Sequence, residues 1–485
     1  MTHWQQGGAP SASASPTMPA VPPQARRPVT QAAPAPQAPP PPAAPRRTAF
    51  AEGVDRLRAA AVTEPGRLRA IGAVLALLVL AFGAVTAWQM SDRAGAADDV
   101  LHRSQPLSAG AADIYRSLAD ANTAAASGFL SGGQEPPTTT QRYEKDIKNA
   151  AAGLVTAAAS TEPGSPSAKT IAQLNKLLPE YKGLIERARA NNRQGYPVGG
   201  AYLRAANEKM QREMLPAAQD LYTKENQRLR ADYGDATPYP WFALALGVVA
   251  LGALGWAQRR HYRRTNRLLN HGLVAATTAS AIVLLWLVVG HSVARAGLNS
   301  SYDNAVRSLN VLHDARIASL NARGNENLTL VSRGAETKKL PDGTTVDAYD
   351  YAFKQDMKTL STGLAEAESL ADDRAGEQPV KDAKTAVKLW QQRHQEARTA
   401  DDEGDYQAAL KKIIGSEDDH PTGERFDTVD ANLAKALAHE ESQFQQSAGD
   451  GRDAMTGLPV GAAVLAVLGA SGAVLGIGRR LSEYR

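Results

Sequence analysis

Four stretches of the chain stay apolar for about the thickness of a bilayer, and the long segments between them place apolar residues at a helical period. The stretches fall at 68–90, 239–257, 268–293 and 458–477, and none has an acidic or basic residue in its apolar centre. A helix needs about 20 such residues to cross the hydrocarbon, where a charge is costly. Trp88, Trp241 and Trp256 stand at span ends, where amphipathic rings favour the interface. Elsewhere apolar residues return at steps of three and four: Ile171, Leu174, Leu178, Tyr181 and Ile185; Met210, Met214, Ala217 and Leu221; Val380, Ala383, Val387 and Trp390; Phe426, Val429, Leu433 and Leu437. That spacing lines one face of an α-helix. Strand-type alternation is hardly present, and the segment LPDGTT from Leu340 reads as a turn between helices. The pattern predicts an all-α fold: a polytopic membrane protein with four transmembrane helices and two extracytoplasmic helical bundles, at 94–237 and 295–456.

Clusters of Pro, Gly and Ser cut each bundle into about four helices. They are SGGQEPPTTT, STEPGSPSA and NNRQGYPVGG in the first and RGAETKKLPDGT, DDRAGEQP and DDEGDY in the second. Features follow in the same order in both. Leu130–Gly133 pairs with Val331–Gly334, Tyr143–Asp146 with Phe353–Asp356, Tyr181 with Trp390, Gly200–Tyr202 with Gly404–Tyr406, and Met214–Leu221 with Phe426–Leu433. A tandem duplication of span, bundle and span is the simplest architecture. Each bundle begins and ends at one membrane face, so its first and last helices are expected to run directly into spans.

Arginine gives the orientation. Arg56, Arg58, Arg67 and Arg69 crowd the start of the first span, Arg259, Arg260, Arg263, Arg264 and Arg267 fill the elbow at 258–267, and Arg479, Arg480 and Arg485 follow the fourth span. The opposite flanks are mixed or acidic, as at Asp92 and Arg93, Asp232 and Asp235, and Asp450 and Asp453. Basic residues stay on the cytoplasmic side, which places both termini and the elbow inside the cell and both bundles outside a plasma membrane. The elbow arginines are then expected to touch anionic inner-leaflet lipid or a partner, at roughly 1 kcal/mol per basic residue near the surface. Nucleic acid is the other reading of so dense a basic run. The elbow is too short and too close to two spans for that, and a net charge of +4 over 485 residues gives no global basic field.

Residues 1–50 are dominated by Pro, Ala, Ser and Gln, including APAPQAPPPPAAP, and cannot bury enough apolar surface to fold. This tail is expected to be disordered, with 51–67 a juxtamembrane segment and 478–485 a short cytoplasmic end. Small residues at Ala94, Gly95 and Ala96 resemble a signal-peptide cleavage site, but the first span is long for a signal sequence and is expected to remain attached.

Catalytic chemistry is hard to find. With no cysteine in the chain, disulfides, thiolate metal sites and cysteine nucleophiles are excluded. No phosphate-cradling loop, dinucleotide fingerprint or HExxH motif occurs. Glu417 to His420 could hold a cation, but an acidic solvent loop is the commoner meaning. Asp401 to Asp405 loosely follows a calcium loop, yet Lys412 stands where a bidentate glutamate belongs. Tyr181, Trp390 and Tyr202 suit a bundle core or interface. No catalytic, cofactor or metal residue is expected, and the chain reads as non-enzymatic. Small residues at Gly457, Gly461, Gly472 and Gly476 would allow close packing of the last span, within the chain or in a homodimer.

Four spans, two outer helical bundles and both termini inside resemble the actinobacterial GlnX-type membrane signalling proteins over about 68–480. The outer units are similar to the four-helix-bundle sensor modules of bacterial chemoreceptors and histidine kinases, although this chain has no HAMP-like linker, cytoplasmic coiled coil or kinase domain. The resemblance implies a signal relay. An extracytoplasmic solute-binding protein or small solute would be recognised outside, and a Ser/Thr kinase would receive the state inside. A scaffold protein of the cell envelope is the alternative.

Overall fold

A computed structural model of the chain describes residues 64–265, 270–415 and 419–481. The tail at 1–50, most of the juxtamembrane segment, Arg267, Glu417, Asp418 and Arg485 lie outside the described residues. The first half contains α1 (Glu64–Asp99), α2 (Gln105–Leu130), α3 (Pro137–Ser160), α4 (Pro166–Arg193), α5 (Val198–Lys209), α6 (Leu215–Ala236) and α7 (Trp241–Thr265). The second contains α8 (His271–Ser300), α9 (Arg307–Ser332), strands β1 (Thr337–Lys339) and β2 (Thr345–Asp347), α10 (Ala348–Leu370), α11 (Arg374–Asp402), α12 (Tyr406–Ile414), α13 (Thr422–Asp453) and α14 (Leu458–Leu481). The fold is all-α, and four helices are long and apolar enough to cross a membrane, which marks the chain as a multi-pass membrane protein.

Local chemistry explains the helix starts. Pro137 and Pro166 occupy first-turn positions, where a missing N–H costs nothing. Ser165, Asp347, Asp373 and Asp405 each accept a hydrogen bond from an orphan amide of the helix they precede. Asp405 therefore caps α12, which gives the acidic run from Asp401 a structural use. The LPDGTT turn is present, but it closes a two-stranded hairpin with Thr337 opposite Asp347. Both faces of these three-residue strands are largely open to solvent, so they carry no apolar alternation to read.

Turns of π-helix join α1 to α2 at Val100–Ser104 and α8 to α9 at Ser301–Val306. One helix therefore runs unbroken from Gly66 to Leu130 and another from His271 to Ser332. Helix α1 also passes without interruption through Ala94, Gly95 and Ala96, and Ala97 is fully buried. A third π-turn, Met210–Met214, joins α5 to α6, and the two at span and bundle start 201 residues apart. Leu130–Gly133 and Val331–Gly334 show the same offset, which extends the repeat into the backbone. The outgoing helices differ from expectation. Four non-helical residues separate α6 from α7 at Pro238 and Pro240, and four separate α13 from α14 at Gly457, ahead of Pro459. Proline cannot donate the helical hydrogen bond, and Gly457 takes a φ of 79° that suits glycine alone.

The spans form a four-helix bundle in which α1 packs on α7 and α14, and α8 packs on α14 and α7. Leu75, Val79, Phe82, Leu254, Leu273, Val283 and Ala466 point inward. Large exposed apolar residues concentrate on the outer faces of these helices, at Val74, Leu77, Val248, Leu285, Val289, Leu468 and Leu475. A surface of that kind suits lipid and not water. Trp88, Trp241 and Trp256 are exposed at the ends.

Beyond the spans, α2, α3, α4 and α6 (with α5) make one helical bundle, and α9, α10, α11 and α13 (with α12) make the second. Their cores merge into one buried cluster because α2 packs along α9. The periodic residues found in sequence are in this core, including Ile171, Leu174, Tyr181, Val387, Trp390, Phe426 and Leu433.

Candidate functional site

The two bundles meet at the seam between α2 and α9. A Cβ on Gly324 would sit 3.4 Å from Thr123 Oγ1, and these two positions are themselves 201 apart, so the repeat axis passes between them. Thr123 Oγ1 donates to Leu320 O at 3.2 Å, and Asn327 Nδ2 donates to Ser127 Oγ at 2.7 Å. Tyr222 Oη donates to Asn310 Oδ1 at 2.8 Å, from α6 to α9. Helices that share so many directional bonds have a fixed register.

One flank of the seam is ionic. Arg142 on α3 donates to Asp120 at 3.0 Å and, across the seam, to Asp427 Oδ1 at 2.7 Å. Arg316 grips Asp430 with two bonds of 2.6 and 3.0 Å. Arg142 lines two clefts here, of about 870 and 490 Å3. The larger reaches Thr123, Ser127, Arg323 and Phe426, and the smaller reaches Arg116, Asp120, Asp146 and Asp430. Asp146 is 4% exposed, and its Oδ2 has no hydrogen-bond partner among the described residues. Burial and the neighbouring Asp120 carboxylate push its carboxyl up to about 7, while Arg116 and Arg142 oppose them.

This shift has a consequence for stability. Between the ordinary carboxylate range and about pH 7, the folded protein keeps a proton that the unfolded chain has released, so stability falls as pH rises through that window. Denaturation midpoints should drop from about pH 5 to about pH 8 in the wild type and stay flatter in Asp146→Asn. An equally steep profile in the variant would contradict this assignment.

The second bundle holds a buried ionic hub. Glu326 is 0% exposed and accepts from Arg323 at 2.6 Å, Thr422 Oγ1 at 2.9 Å and Trp390 Nε1 at 3.1 Å. His394 joins Glu326 through Nδ1 at 3.0 Å and Asp350 through Nε2 at 3.1 Å. Phe353 stacks on its ring at 3.7 Å. Burial disfavours the charged imidazole, but Asp350 and Glu326 outweigh it and raise the His394 pKa. Burial likewise works against ionised Asp350, yet bonds from His394 and Lys354 hold it down at about 2. Trp390 is core, as its periodicity suggested. Sequence reasoning missed the hub, whose only local signals were Arg323 with Glu326 and Trp390 with His394, each one helical turn apart. In the first bundle the corresponding polar core is neutral: Tyr181 Oη donates to Asn122, which donates to Asn207.

On the other flank, a cleft of about 630 Å3 is lined by Asn207, Arg204, Asn321, Asn325, Tyr349, Ala352 and Asp356, among others. Asp356 accepts from Asn325 at 2.8 Å, and burial pushes its carboxyl up to about 6.

Four of the five elbow arginines are not in a loop. Helix α7 continues to Thr265, so Arg259, Arg260 and Arg263 are helical, with Arg260 over the Trp256 ring at 5.3 Å. The Arg264 side chain and Arg267 lie outside the described residues. What pins the elbow is Asn270, which caps α8 by accepting from Gly272 N at 3.1 Å and donates to Gly476 O on α14 at 2.8 Å. Gln258 Nε2 adds a bond to Thr277 Oγ1 at 2.8 Å. Among the described residues there is no cluster of three potential metal ligands.

A family described as the actinobacterial sensor domain matches residues 96–234. The matched segment covers the first bundle, well under half of the chain, and supports a sensing or signalling role in an actinobacterial protein. No curated protein and no solved structure matches the chain.

Proposed function

We propose that the protein is a non-enzymatic membrane signal relay whose two bundles stand outside the plasma membrane, with both termini and the arginine elbow in the cytoplasm. The observation that carries this reading is the pair of unbroken helices, Gly66–Leu130 and His271–Ser332. They meet along the seam as α2 and α9 and enter the membrane as α1 and α8. A ligand or partner that changes the seam thereby acts on two spans with no intervening loop. The outgoing helices break at Pro238 and Gly457, which lets the first and last elements of a bundle move differently. The π-turns at Val100 and Ser301 lie where span meets bundle; such turns frequently mark functional positions in helices.

The match to a sensor domain supports the sensing half of this reading. The finer proposal comes from the resemblance to GlnX-type proteins. The bundles recognise a solute-binding protein or a small solute, and the elbow, held against anionic lipid, presents the state to a cytoplasmic partner such as a Ser/Thr kinase. Pull-down of the full chain from membranes of amino-acid-fed and starved cells tests it. Recovery of a binding protein and a kinase, in a ratio that changes with feeding, is the expected result. Recovery of neither in both conditions would overturn the relay. Topology has a separate check: a reporter fused after Arg264 should be active only in the cytoplasm.

A further inference from the structure

The two flanks of the seam carry matching sequence features but differ in where arginine stands. The pairing of Tyr143–Asp146 with Phe353–Asp356 runs at an offset of 210, so Arg142 corresponds to Ala352. At the offset of 201 along the seam helices, Arg116 corresponds to Ile317 and Asp120 to Asn321. On the first flank, arginine therefore fills the space beside the carboxylates: Arg142 holds Asp120, and Arg116 Nη1 stands 4.0 Å from Asp146. On the second flank both arginines are gone. Ala352 lines open space in their place, and among the described residues the Asn325 amide is the one hydrogen-bond partner of Asp356.

We propose that the cleft of about 630 Å3 around Asp356 binds a small organic cation with N–H donors, a primary ammonium or a guanidinium, in the space its twin fills with arginine. A carboxylate drawn partly out of water without a counter-ion is destabilised, and a bound cation relieves that penalty. Two of the cations on the cleft wall are engaged elsewhere. Arg212 pairs with Glu208 at 2.8 Å, and Lys338 stands 4.1 Å from the centre of the Tyr351 ring. Arg204 lines the cleft too, but no ion pair joins it to Asp356 among the described residues. Asn321, Asn325 and Asn207 supply amide groups around the site, which suits a donor-rich head better than a quaternary one. Because Asp356 titrates at about 6, it is ionised at neutral pH. Affinity should then fall by about tenfold per pH unit below that value.

This inference rests on the bundle pair being the sensing part, and its test measures binding alone, so its failure leaves the relay to be judged by the pull-down. The probes are n-butylammonium and n-butylguanidinium chlorides added to the full chain in lipid nanodiscs. Tetramethylammonium chloride, sodium butyrate and n-butanol are the controls, and the thermal midpoint is the readout. Both cations should raise the wild-type midpoint above every control. The rise should vanish in Asp356→Asn and also in Ala352→Arg, which restores the arginine of the twin cleft and should itself raise the midpoint without ligand. No rise with either cation would overturn the proposal. So would a rise matched by tetramethylammonium, or one that persists in both variants.

Discussion

Replacing Glu326 with alanine should cost the protein about 3–5 kcal/mol, the typical effect of removing one partner from a buried ion pair. The reason is what stays behind. Arg323 is 4% exposed and its Nη1 donates to Glu326 and Thr422 while Nη2 donates to Ile413 O. His394 is similarly buried between Glu326 and Asp350. Alanine would strand a guanidinium that cannot lose its charge and leave Trp390 Nε1 without its acceptor. Thermal and denaturant unfolding followed by circular dichroism would show the loss. Glu326→Gln gives the control, since it keeps the shape and part of the bonding while removing the charge. In that variant the His394 pKa, now raised by two carboxylates, should move down, and an NMR titration of the ring would follow it. The sign matters for the wild type as well. A histidine with a raised folded pKa contributes stability at low pH, and that contribution is lost as pH rises through the folded value. A melting point unchanged in Glu326→Ala would mean that the hub is loosely held and unimportant to the fold.

The hub also shows where reading the sequence succeeds and where it stops. Period-3.6 patterning finds residues whose burial needs only an apolar face, and Ile171, Leu174, Val387 and Leu433 are all in the core. The repeat could be followed through features that both halves share, which brought Tyr181 together with Trp390 and Asp146 with Asp356. Glu326 was invisible because a charge pair at i and i+3 inside NARGNENL reads as a solvent-facing helix surface. Its partners Thr422, Trp390 and His394 arrive from other helices, and only tertiary structure puts them there. The acidic run at Glu417–His420, read as a solvent loop, falls in the break between α12 and α13. The straight run of the last helix of each bundle into its span was expected from topology, whereas Pro238, Pro240 and Gly457 interrupt it. Those residues were legible, and proline at a helix boundary is a local signal that should have carried more weight.

The other large effect should come from the membrane. Gly272→Leu is expected to pry α8 from α14 and to destabilise their contact by about 3 kcal/mol, at the upper end of what overpacking costs. A Cβ on Gly272 would run into Gly472 O and the backbone of Gly476. Backbone cannot swing aside as a side chain can, so the helices must separate. Small residues continue along α8: a Cβ on Gly469 of α14 would meet Ala279 Cβ at 3.4 Å, and farther on a Cβ on Gly297 would meet Gly451 of α13 at 3.0 Å. Helices in lipid gain little from apolar burial against each other and depend on such close approach. The glycine face of the last span is thus used inside the chain, against α8. The absence of native cysteine makes the measurement clean. A pair introduced by Ala279→Cys and Gly469→Cys should cross-link readily in membranes, because the Cβ separation of 3.4 Å is close to that of a disulfide. Adding Gly272→Leu should lower the yield several-fold, while Leu285→Ala on the exposed face of α8 should leave it unchanged. Equal yields with and without the leucine would show that α8 and α14 do not depend on this contact. If the yield does fall, the same variant becomes a probe of signalling, for α8 is the membrane end of the rod that reaches the seam. If the protein is the relay proposed above, separation of α8 from α14 should uncouple a partner at the elbow from the state of the bundles, with the bundles themselves still folded.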